Sequence, residues 1–158
     1  MTFAARLDAC VEASCSLLCC GLDPDGFASA AEAEHRCLEL VEATIDHVCA
    51  FKPNLAFFEQ LGSAGYAILE RLRTRIPRDR ILILDAKRGD MGSTAEQYAR
   101  EVFDRYGADA VTLSPFLGFD SIEPYLRYAG KGVILLCRTS NPGGADLQEQ
   151  RLETGERL

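Results

Sequence analysis

Five short apolar runs constrain the fold more than anything else in this chain: "SLLCCGLD" (16–23), "VCAFKPN" (48–54), "RILILDAK" (80–87), "DAVTLSP" (109–115) and "KGVILLCRTS" (131–140). Their hydrophobicity is continuous rather than alternating, which fits strands covered on both faces, as in a parallel sheet. Parallel neighbours need a crossover, and helical patterns fill the intervals. Cys37, Leu40, Val41, Thr44, Ile45 and Val48 recur at helical spacing, so His35 and His47 fall on a predicted helix. Further helices are predicted over 2–14 and over 63–75, the latter stopped by Pro77. "STAE" at 93–96 has the capping-box form, which places a helix start just after Ser93. A shorter helix is expected around 120–129, with Pro124 in its first turn. The grammar is that of an α/β fold with about five β–α units, followed by a Gly/Pro loop and a charged tail.

The 158 residues suffice for one domain, 1–158, and no linker interrupts them. A formal charge of −7 argues against nucleic acid as a partner, because phosphate backbones require a basic face. No stretch approaches the roughly 20 apolar residues of a membrane span. The seven cysteines are odd in number, form no C-x-x-C and fall mostly in apolar segments, so they read as free buried thiols in a reducing cytosol. His35 and His47 have no neighbouring ligand set, so no metal is expected.

Chemistry collects where the strands end. Asp23, Lys52, the pair Asp85 and Lys87, and Ser140 each stand at the C-terminal end of an apolar run. Polar groups converging on that edge of a parallel sheet form the active sites of α/β proteins. Asp85 and Lys87 are two apart and share one face of a strand, while Asp90 follows in a turn between Gly89 and Gly92. A lysine between carboxylates keeps its proton, which suits proton donation rather than Schiff-base chemistry. Lys52, from the neighbouring strand, is placed to pair with Asp85 and hold it ionised. The row Lys52, Asp85, Lys87 and Asp90 would stay near neutral yet put strong fields on a substrate. A buried ion-pair network that only fixes register would use the same residues.

The motifs "GLDPD", "FKPNLAFFEQLG", "DAKRGDMGSTAEQYA", "TLSPFLG" and "CRTSNPGG" with "DLQ" stand in one order along nearly the whole chain. Together they resemble the orotidine 5′-monophosphate decarboxylase family, and are most similar to its longer bacterial-type branch. The resemblance implies a (β/α)8 TIM barrel that converts orotidine 5′-monophosphate to uridine 5′-monophosphate and carbon dioxide, without metal or organic cofactor. It also implies roles: Asp23 on the ribose hydroxyls, Lys52 and Asp85 in the charged row, and Lys87 as proton donor to C6. Asp90 and Thr94 would reach the partner's site in a homodimer, and Ser140 with the "TSNPGG" loop would cover the pyrimidine.

A closed barrel of this type has eight strands and typically ~250 residues. Five are countable here, so the chain is expected to be the N-terminal part of a truncated barrel. The family's phosphate-gripping Gln and Arg have no counterpart, and "NPGGAD" lacks the P-loop pattern. By itself the chain is expected to be inactive and poorly soluble, with unpaired strand edges. Two other readings remain: a non-catalytic remnant that only associates, and a metal-dependent sugar-phosphate enzyme of the same superfamily. The second is disfavoured because Lys52 stands where that enzyme offers an acid to magnesium.

Overall fold

The computed structural model describes residues 1–157. Helix α1 (Phe3–Ser14) precedes β1 (Cys19–Leu22), and α2 (Ala30–Thr44) leads to β2 (Ala50–Pro53). Two helices follow, α3 (Leu55–Glu59) and α4 (Ser63–Arg75), then the long strand β3 (Ile81–Arg88). Helix α5 (Gly92–Arg100) runs into a π-helical turn (Glu101–Arg105) before β4 (Ala110–Leu113). Two 3₁₀ turns (Pro115–Leu117 and Phe119–Ser121), α6 (Glu123–Leu126), β5 (Gly132–Leu135), a third 3₁₀ turn (Pro142–Gly144) and α7 (Ala145–Gln148) complete the order.

The five strands lie in sequence order, β1-β2-β3-β4-β5, and every pairing is parallel. A doubly wound sheet would reverse its strand order at a switch point. None occurs here, so the connectivity is that of a β/α barrel. β1 and β5 are each paired on one side only.

Alternation within the strands separates two layers. Leu22, Phe51, Leu82, Leu84, Val111 and Leu113 point outward into a core shared with Val41, Phe58, Ile68, Leu72 and Val102 of the helices. Cys49, Ala50 and Ile81 meet Cys10 in a second cluster, flanked by Phe3, Leu7 and Val11 of α1. Helix α1 thus covers the end of the sheet opposite the catalytic candidates. Asp109, fully buried, locks that end: its carboxylate pairs with Arg6 at 2.8 Å and Arg73 at 3.4 Å, and accepts the Leu82 amide at 2.9 Å.

Several local expectations change. The predicted capping box at Ser93 does not form: α5 begins at Gly92 with Met91 as its N-cap, so Ser93 lies inside the first turn. The chain has already turned there, since the Asp90 carboxylate accepts the Met91 amide at 2.9 Å and Gly92 adopts a φ of 57°. Helix α2 ends at Thr44, leaving His47 beyond it, because the Ile45 carbonyl is taken by the Arg80 guanidinium at 3.0 Å. All seven cysteines are free, but only Cys10, Cys37 and Cys49 are buried. The tail folds back: the Gln148 side-chain Oε1 accepts the Thr139 backbone amide at 2.8 Å, and Arg138 pairs with Glu149 at 2.8 Å.

Candidate active site

Three of the residues singled out by their spacing meet in one cluster. Asp85, on β3, has a side chain only 10% exposed, and each of its oxygens faces an ammonium. Lys52 Nζ donates to Oδ2 at 3.0 Å and Lys87 Nζ donates to Oδ1 at 2.6 Å. The Thr112 hydroxyl of β4 adds a third donor to Oδ1 at 2.8 Å. Burial alone would push the Asp85 carboxyl up; the bonds from Lys87, Lys52 and Thr112 outweigh it and hold the group below its usual range. Lys52 shows the mirror effect. Burial works against its charge, yet the bond and charge of Asp85, with help from Asp23, raise it.

Lys87 does not reach Asp85 by simple strand alternation. Its φ is 46°, and the β3–β4 register is irregular between Leu84 and Arg88. A left-handed residue at the strand end folds the side chain back over its own strand and leaves the amine half exposed. Its backbone N–H, displaced from the ladder, donates to Thr112 Oγ1 at 3.0 Å.

Asp23 follows β1 and is exposed, its carboxylate leaning over Gly21, where a Cβ would stand 3.7 Å from Oδ2. Asp90 is half-buried, and Thr94 stands exposed on the first turn of α5. Neither forms an ion pair or side-chain hydrogen bond with the charged row among the described residues. Ser140 is exposed and lies in the bend beyond β5, which ends at Leu135 rather than running through 140.

Arg88 points the other way. Its guanidinium pairs with Glu59 at 2.7 Å and Glu101 at 3.5 Å, and lies 4.7 Å from the Tyr98 ring centroid. It ties α3 and the π turn to the end of β3, which stiffens the strand that carries Asp85 and Lys87. Thr112 was not singled out by sequence, because a threonine in an apolar strand is ordinary. Only the register of β4 against β3 reveals its partners.

The sequence of this chain and its fold match known proteins. A family model described as "Orotidine 5'-phosphate decarboxylase / HUMPS family" fits residues 16–157. The chain belongs to that family. An orotidine 5'-phosphate decarboxylase of Methylibium petroleiphilum is 57% identical over 96% of this chain and 58% of the relative. One from Leptothrix cholodnii is 61% identical over 87% of this chain and 51% of the relative. Among solved structures, Leishmania donovani OMP decarboxylase superposes with a TM-score of 0.90 at 42% identity, covering 99% of this chain and 61% of that one. The five parallel strands are therefore the first part of the decarboxylase barrel, and the chain spans between half and about three-fifths of these relatives' length.

Proposed function

We propose that residues 1–158 are the N-terminal part of a single barrel domain that decarboxylates orotidine 5′-monophosphate, a step of de novo pyrimidine synthesis. The observation that carries this reading is the Asp85 carboxylate held between the ammonium groups of Lys52 and Lys87. The substrate carboxylate at C6 would lie against Asp85, and like charges there favour departure of neutral carbon dioxide. The C6–carboxyl bond breaks and its electron pair stays on C6. The Lys87 ammonium stabilises that pair as it develops, then transfers one proton to C6, giving uridine 5′-monophosphate and a neutral amine that water reprotonates. Lys87 is free to swing because its side chain is 49% exposed. Asp23 would hold the ribose hydroxyls, and Ser140 would close over the pyrimidine.

Neither metal nor organic cofactor enters this scheme. Both Asp85 oxygens already face ammonium groups, a setting that repels a divalent cation and counts against the sugar-phosphate alternative. Asp90 and Thr94 would serve the partner's site in a homodimer, a role supported by their position on the rim, outside their own chain's charged row. Free thiols support a cytoplasmic setting, and among the described residues no helix is long and apolar enough to cross a membrane.

Among the described residues, Arg88 is committed to Glu59 and Glu101 and Arg138 to Glu149, so neither is free to grip the substrate phosphate. The test is a joined protein, in which this chain continues into the remaining portion of the Methylibium relative. Loss of orotidine monophosphate absorbance is expected from the joined protein and not from the chain alone. A joined protein that folds and shows no turnover would overturn the reading.

A further inference from the structure

We propose that Thr112 is a positioning residue for this reaction, one hydroxyl that fixes both the Asp85 carboxylate and the backbone of Lys87. The proposal rests on the decarboxylase reading for its consequence, and on geometry for its substance. Thr112 is 7% exposed and lies on β4, the strand beside the one that carries both partners. Its Oγ1 donates to Asp85 Oδ1 at 2.8 Å and accepts the Lys87 N–H at 3.0 Å. A hydroxyl has a single proton, so filling both roles leaves its rotor one orientation.

Two features make this more than a buried threonine finding partners. First, the hydroxyl shares Asp85 Oδ1 with the Lys87 ammonium, which sits 2.6 Å from the same atom. When Lys87 turns to the substrate and gives up its proton, Oδ1 loses its charged donor. Thr112 remains, so the carboxylate keeps its orientation and a hydrogen bond at the moment its field matters. Second, Lys87 holds a φ of 46°, where a residue with a side chain is strained, and its N–H has left the strand ladder. Thr112 Oγ1 satisfies that N–H. Regular pairing resumes only at the next residue, where the Arg88 carbonyl accepts the Ser114 amide at 2.7 Å.

A purely structural threonine would become valine at a cost in stability alone, from the orphaned Lys87 N–H, and leave the Asp85 titration and kcat unmoved. A positioning hydroxyl would not. The experiment compares Thr112→Val, which deletes the hydroxyl, with Thr112→Ser, which keeps it and drops a methyl. In the joined protein, the Asp85 carboxyl is titrated by carbon-13 NMR. Its midpoint is expected to rise in Thr112→Val and to stay close to the unmutated value in Thr112→Ser. In the joined protein, Thr112→Val is expected to lower kcat about tenfold with KM changed less than about twofold, and Thr112→Ser to restore most of kcat. An unchanged Asp85 midpoint and kcat in Thr112→Val would overturn the proposal, as would a Thr112→Ser variant as impaired as Thr112→Val. If the unmutated joined protein shows no turnover, the decarboxylase reading falls, while the titration still decides what the hydroxyl does to Asp85.

Discussion

Lys87, the proposed proton donor, holds a backbone conformation that side chains disfavour, with a φ of 46°. That strain should be measurable. Lys87→Gly is expected to be about 1 kcal/mol more stable than Lys87→Ala in urea unfolding, because both lose the amine but only glycine tolerates the left-handed region freely. Asp85 gives a second prediction at this scale. Its carboxyl is held below the usual range, so its stabilising effect is fully present above the unfolded value of ~3.9 and is lost as pH falls through the lower folded value. Asp85→Asn should flatten the acid limb of stability against pH. At neutral pH it should cost about 1–3 kcal/mol, less than a fully buried pair, because both lysines reach solvent. The Asp85 and Lys87 pair was legible in the sequence, since a spacing of two places both at one strand end. The left-handed turn at Lys87 and the Thr112 hydroxyl were not, because both depend on how β4 is registered against β3.

The strands were the legible elements. Each is a short run of continuous hydrophobicity, and the observed strands fall inside or within a residue of the runs in every case. Helix α3 was hidden, because five residues are too few to display a helical period, although Asn54 caps it by accepting the Ala56 amide at 3.2 Å. This small helix matters to the site, since Glu59 at its end anchors Arg88 and therefore the end of β3. Its seat depends on Gly65 in α4, where an added Cβ would stand 1.8 Å from the Phe58 carbonyl oxygen. Gly65→Ala is therefore expected to push α3 and α4 apart and to destabilise the chain by about 2–3 kcal/mol, read from the urea midpoint. A loss below about 0.5 kcal/mol would show that the contact relaxes without strain.

The whole molecule is a sheet in barrel order with the catalytic candidates at one end and α1 with the Asp109 cluster at the other. Sequence pattern gave the layered α/β class directly, while the barrel itself followed from the motif set rather than from periodicity. Periodicity reports which strands are covered, not whether their order reverses. At this scale the central claim is that one ammonium, placed by Asp85, quenches the carbanion left at C6. The most direct measurement is kcat for orotidine monophosphate in the joined protein and in its Lys87→Ala variant, with circular dichroism confirming that both fold alike. A fall of at least about 10³-fold is predicted, since the change removes both the proton donor and the charge facing C6. Turnover at an undiminished rate in the folded variant would contradict the account.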